Sequence, residues 1–228
     1  MHRALTAVYF PIRVLGRTLC RVNDADLQKI PDQGPLILVS NHINFLDVPI
    51  FYTHLMPRSV TGFAKIETWN NPALGFFFSL GGAIPIRRGT VDRTAIGRAR
   101  EVLHSGGILA VAPEGTRSGT GRLQKARTGV SVLALESGAP VLPVAYYGGE
   151  KFRGNIFRLQ RTDFHFRVGT PFRVRMDDGR LTRGVRESIT DDIMYRLAAL
   201  LPPEYRGYYT DLSKATHRFL VDDLGADS

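Results

Sequence analysis

Between residues 35 and 147, short apolar runs alternate with stretches whose apolar residues recur at three- and four-residue steps. The runs PLILVS (35–40), SVTGFAK (59–65), GGAIPI (81–86), GILAVAP (107–113) and APVLPVAYY (139–147) are continuous, which predicts strands buried on both faces. Helices fill the intervals. Ala95, Ile96, Ala99, Val102 and Leu103, following Thr90 and Asp92, predict an amphipathic helix over 91–104, and a second lies at 127–137. Ile189, Ile193, Leu197 and Leu200 share one side of a late helix over 185–201, stopped by Pro202 and Pro203. FHFRVGTPFRVR (164–175) alternates, as a more exposed strand or hairpin near a sheet edge does. Strand and helix in turn give an α/β fold: a single domain with a mostly parallel sheet flanked by helices.

The amino-terminal stretch has a different pattern. Arg13 and Arg17 interrupt the apolar run over 4–20 well short of the roughly 18 residues that a span requires, and no small-residue cleavage site follows. Arg13, Arg17 and Arg21 recur at every fourth position, so a helix over residues 1–22 carries one basic stripe, with Val14, Leu15, Leu19 and Val22 elsewhere on its circumference. Such a helix either packs on its own domain, here residues 23–228, or lies on a membrane surface.

Composition narrows the partners. Lys and Arg number 30 against 21 Asp and Glu, a net charge of +9 that favours nucleic acid, phosphorylated metabolites or acidic lipid headgroups. A hydrophobic fraction of 43% excludes a disordered chain. With one cysteine, Cys20, no intrachain disulfide can form, and it reads as a packing residue. No zinc-ligand spacing and no glycine-and-aromatic strand signature of single-strand RNA readers is present, which argues against a nucleic-acid-binding module.

Chemistry concentrates where apolar runs end. His42 follows LILVS directly and Asp47 opens the next helical stretch; carboxyl ends of strands in open α/β sheets face the ligand crevice. Residues five apart lie roughly 140° apart on a helix, so the two side chains meet only if His42 sits in the preceding turn. Asp47 would then fix the imidazole tautomer and leave the other ring nitrogen to take a hydroxyl proton. The spacing alone is weak, since His217 and Asp222 share it in a polar segment with no strand before them. Glu114-Gly115-Thr116-Arg117 follows GILAVAP in the same way: Thr116 and Arg117 suit a phosphate, Gly115 permits close backbone approach, and Glu114 has an orienting role. Arg87-Arg88 after GGAIPI, Lys65 after SVTGFA, and Lys125 and Arg127 add cations to the same crevice. Any one of these taken alone is an ordinary surface charge.

In order along the chain, NHINFLD, GGAIPIRRG, APEGTRS and APVLPVAYYG resemble the four blocks of the glycerolipid acyltransferases of the lysophosphatidic acid acyltransferase type, over roughly residues 30–150. AKIETWNNPALGFFFSLGG (64–82) is similar to the family's segment between its first two blocks. The resemblance implies that His42 is the catalytic base and Asp47 its partner. It also implies that Arg88, Glu114, Gly115 and Arg117 bind the acceptor's glycerol phosphate, and that Pro143 shapes the acyl-donor side. The reaction implied moves a fatty-acyl group from acyl-CoA or acyl-carrier protein to 1-acylglycerol 3-phosphate, giving phosphatidic acid, with no cofactor, no metal and no acyl-enzyme. The implied place is the cytoplasmic face of an anionic membrane, by peripheral or monotopic attachment. Two departures, Arg87 and the Ala83-Ile84-Pro85 that replaces a hallmark aromatic, bear on the acceptor; glycerol 3-phosphate or another lysolipid is the alternative.

Overall fold

All five continuous apolar runs become strands of one sheet in the computed structural model, which describes residues 2–55, 60–87, 89, 92–176 and 180–223. In chain order the elements are α1 (His2–Leu19), β1 (Cys20–Asn23), β2 (Leu36–Ser40), α2 (Asp47–Leu55), β3 (Val60–Lys65), α3 (Pro72–Leu80), β4 (Ile84–Ile86), α4 (Arg93–His104), β5 (Ile108–Val111), α5 (Gly129–Ser137), β6 (Val141–Tyr147), α6 (Phe152–Phe157), β7 (Thr162–Val168), β8 (Phe172–Val174), α7 (Arg183–Ala199) and β9 (Leu220–Asp222). Of the residues singled out above, Arg88 and Thr90 lie outside the described residues.

The strand order is β1-β7-β6-β2-β5-β3-β4, with β8 on β6 and β9 on β8. β6, β2, β5, β3 and β4 pair in parallel, so their carboxyl ends share one edge of the sheet. Burial explains why their sequences do not alternate. Ile37 and Val39 of β2 face a core built with Ala95, Ala99 and Leu103 of α4 and Ile189, Ile193 and Leu197 of α7. Leu36 and Leu38 face the other way, onto Ile50, Phe51 and Leu55 of α2. A strand covered on both sides has no polar face to display. Helix α4 begins where Asp92 caps it, its side chain accepting from the Ala95 N–H at 3.1 Å.

Two placements differ from expectation. The amino-terminal helix ends at Leu19, not at residue 22. Cys20–Asn23 instead pair in parallel with Thr162–His165, and Arg21 leaves the basic stripe to bond Asp163, its register partner, at 2.6 Å. Strand pairing and the burial of Cys20 override the four-residue periodicity. The alternating segment over 164–175 is two strands: β7, antiparallel to β6 and lying inside β1, and the short β8. Among the described residues no helix is long and apolar enough to cross a membrane.

Strand β6 turns off the sheet at Gly148, whose φ of +93° favours glycine, and a Cβ there would stand 2.1 Å from the Asp163 carbonyl oxygen. Gly148→Ala is expected to cost about 2 kcal/mol or more, read as a lowered Tm. Gly154→Ala in α6, where a methyl meets no atom within 4 Å, should instead leave stability unchanged or raise it by about 0.5–1 kcal/mol.

Candidate active site at the carboxyl edge of the sheet

Backbone pairing between β2 and β6 ends at Ser40 and Val144. One residue later, the Asn41 side chain takes over the ladder: its amide donates to the Tyr146 carbonyl at 2.8 Å, and its Oδ1 accepts from the Tyr146 N–H at 3.0 Å. A side chain that mimics a strand lets the main chain leave the sheet while the turn stays anchored. His42 lies in that turn, and α2 starts at Asp47.

The Asp47 carboxylate organises the turn. Its Oδ2 accepts from the backbone N–H groups of Ile43 at 2.7 Å and Asn44 at 2.9 Å, and stands 2.7 Å from His42 Nδ1. An oxygen already accepting two hydrogen bonds meets Nδ1 as a third acceptor contact, so the ring proton sits on Nδ1 and the lone pair on Nε2. Among the described residues Nε2 has no hydrogen-bond partner. The Asp47 side chain is 4% exposed and that of His42 19%, so the carboxylate is sealed while the imidazole reaches the surface. Tyr146 closes the turn from beneath: its hydroxyl accepts from the Ile43 N–H at 3.2 Å. Burial, and then the neighbouring Asp47 charge, hold its pKa well above that of an ordinary tyrosine.

The second loop, after β5, is bonded to the first in both directions. Glu114 Oε1 accepts from the His42 N–H at 3.0 Å and Oε2 from the Gln124 N–H at 2.9 Å. In return the His42 carbonyl accepts from Ser118 N–H at 2.8 Å and the Ile43 carbonyl from Gly119 N–H at 3.0 Å. Glu114 is buried, which raises its pKa, while the Gln124 and His42 N–H groups oppose that shift. Both its oxygens are engaged inside the protein, so it stands between the two loops and does not face outward. Gly115 has φ +68°, and the Arg127 side chain crosses it so closely that a Cβ would lie 3.1 Å from Arg127 Cδ.

Thr116 and Arg117 are exposed at the outer end of this loop. Lys65 at the end of β3 and Arg87 just after β4 are exposed on the same edge, as are Lys125 and Arg127. Lys125 extends toward the Tyr208 ring, 5.7 Å from its centroid. Pro143 is elsewhere. It is buried in the middle of β6, registered against Val39, and its carbonyl accepts from Gly169 N–H at 2.9 Å. The antiparallel ladder passes from β7 to β8 at that point, so a residue with no N–H falls at a break in the pairing. Pro143 therefore lies within the sheet, one strand position short of the last β2–β6 pair.

Asn41, Tyr146, Gln124 and the Ser118-Gly119 backbone are the parts that sequence reasoning did not assign. Asn41 and Tyr146 carried a signal, an amide directly after the run LILVS and a phenol near the end of APVLPVAYY. The backbone donors carried none. The spacing control is informative too: Asp222 pairs with Arg196 at 2.9 Å and makes no hydrogen bond to His217.

The profile of the Acyltransferase family matches residues 21–147. The chloroplastic 1-acyl-sn-glycerol-3-phosphate acyltransferase of Arabidopsis thaliana is 32% identical over 137 residues, which are 58% of this chain and 37% of that protein. The lyso-ornithine lipid O-acyltransferase of Pseudomonas aeruginosa is 32% identical over 146 residues, 64% of this chain and 50% of that protein. The chain thus spans half or less of the length of these two relatives. In three dimensions it is similar to the 1-acyl-sn-glycerophosphate acyltransferase PlsC of Thermotoga maritima, with a TM-score of 0.59 at 22% identity over 84% of this chain and 78% of that one, a likeness of fold. Since the profile covers more than half of the chain, and both the His42 turn and the Glu114 loop fall inside it, the chain belongs to the acyltransferase family.

Proposed function

We propose that the chain transfers a fatty-acyl group from acyl-CoA or acyl-carrier protein to the free hydroxyl of 1-acylglycerol 3-phosphate, giving phosphatidic acid. The observation that carries this reading is the 2.7 Å contact between His42 Nδ1 and Asp47 Oδ2 at the end of β2, with Nε2 left to meet substrate. The reaction follows from that polarity. Nε2 takes the hydroxyl proton as the oxygen bonds to the thioester carbonyl carbon. The tetrahedral adduct collapses with cleavage of the carbon–sulfur bond, and the imidazolium returns the proton to the leaving thiolate. Asp47 holds the ring throughout. No acyl-enzyme is required, and Cys20 does not offer one: it is buried, and burial pushes its thiol up to about 11, so it is not a thiolate at neutral pH.

Thr116 and Arg117 are the groups assigned to the acceptor phosphate, within a field that Lys65, Arg87 and Arg127 strengthen and to which Arg88 belongs by resemblance. Glu114 supports the site by fixing the backbone of His42. The relatives' names support a lysolipid acceptor, and two acceptor classes, phosphate-bearing and ornithine-bearing, occur among them. The place of action in this reading is the cytoplasmic face of the membrane, with peripheral attachment in which Arg13 and Arg17 of α1 meet anionic headgroups.

His42→Ala is expected to lower kcat in an acyl-transfer assay by about 10²- to 10⁴-fold. Its Tm should stay close to wild type, because Asp47 keeps its two backbone donors. Turnover at the wild-type rate would remove the proposal. Arg117→Ala should raise KM for 1-acylglycerol 3-phosphate by roughly 10-fold or more at little change in kcat. A lysolipid without phosphate should be indifferent to that change, and the reverse pattern would favour the ornithine-lipid acceptor.

A further inference from the structure

Helix α6 ends in a way that water does not explain. The Gln160 N–H bonds the Asn155 carbonyl at 2.9 Å and the Leu159 N–H bonds the Ile156 carbonyl at 3.2 Å. This six-to-one and five-to-two pair is the Schellman arrangement, whose left-handed position is ordinarily glycine. Here it is Leu159, with φ +53° and 96% of its surface exposed. Phe157 beside it is 85% exposed and Ile156 40%. A β-carbon in left-handed backbone and two large apolar side chains in solvent are separate costs at one place. An apolar phase offsets the second and gives a reason for the first.

The surroundings specify that phase. Lys151, Arg153, Arg158 and Arg161 are exposed along this segment of the chain, with no carboxylate between residues 151 and 161. Arg161 Nη2 donates to the Cys20 carbonyl at 2.7 Å and to the Arg17 carbonyl, tying the segment to the end of α1. There Phe10, Val14 and Leu15 are exposed beside Arg13 and Arg17. The segment also borders the site: Asn44 donates to the Gly149 carbonyl at 2.7 Å, and Phe45 packs edge-on against Phe152 with centroids 5.9 Å apart.

We infer that the tip of α6, Ile156, Phe157 and Leu159 in a segment that carries Lys151, Arg153 and Arg158, inserts into an anionic phospholipid surface as a second point of attachment beside α1. This rests on the acyltransferase reading only for its purpose, which is to set the loop that carries His42 against the bilayer that holds the acceptor. Apolar side chains in a cationic segment suit a surface that is anionic at headgroup depth and apolar just beneath it.

The test compares the unsubstituted chain with Leu159→Gly and with the Phe157→Ser/Leu159→Gly double variant, by sedimentation with vesicles of phosphatidylglycerol and phosphatidylcholine. Leu159→Gly should melt at a higher temperature than wild type, yet partition more weakly. The double variant should partition roughly 10- to 100-fold more weakly. Arg153→Gln/Arg158→Gln should lose roughly fivefold per charge on anionic vesicles and nothing on neutral ones. Wild-type partition by the double variant would overturn the inference. So would retained vesicle binding accompanied by lost binding to an acidic acyl-carrier protein, which would make the tip a protein-docking site. Partition is read without turnover, so a chain that proves inactive toward lysolipids leaves the result interpretable.

Discussion

One carboxylate holds the candidate site together. Asp47 Oδ2 gathers two backbone N–H groups and the His42 ring in a position almost closed to water. Charge-assisted hydrogen bonds in such surroundings are stronger and more directional than the same bonds at a surface. The carboxylate at the start of α2 also lies where a helix favours negative charge. Turn conformation, helix start and imidazole orientation therefore depend on the same atom, and a change at Asp47 disturbs all three.

The remainder of the fold serves to keep that turn where substrate can reach it. Five parallel strands deliver their ends to one edge, so residues far apart in sequence, from His42 to Arg117, become neighbours without any long-range contact being specified pair by pair. Adjacent loops are then locked: Glu114 grips the His42 amide, Ser118 and Gly119 grip the following carbonyls, and Asn41 pins the base of the turn to β6. Such rigidity matters wherever a group must meet a reacting atom, because a misplacement of about 1 Å can cost about 10²-fold in rate. Arg117 and Thr116 are left outside the lock, exposed.

How much of this could be read from the sequence varies with the physical signal. The runs LILVS and APVLPVAYY were legible as strands because burial on two faces leaves no polar alternation, and α4 was legible from its apolar spacing and the Asp92 cap. Helix α3 was not, since PALGFFFSL is apolar on every side and exposes Leu74, Phe76 and Phe77, which leaves no periodicity to find. β1 was hidden by a run of arginines whose spacing continued past the true helix end. The meeting of His42 and Asp47 was foreseeable from their position after a strand and at a helix start. Glu114 was harder: its partners are main-chain N–H groups, which no side-chain pattern encodes. Pro143 gave no sign of its place in the pairing, since the break between β7 and β8 opposite it is set by segments distant in sequence.

The polarity of the imidazole is where the account is most exposed. Nitrogen-15 and proton NMR of the uniformly labelled protein, with His42 assigned by its loss in His42→Ala, reports which ring nitrogen carries the proton in the neutral form. Nδ1–H is expected, with a downfield proton resonance from the bond to Asp47 and an unprotonated Nε2. A neutral His42 protonated on Nε2 would place the proton on the substrate side, leave no base to accept the hydroxyl proton, and contradict it.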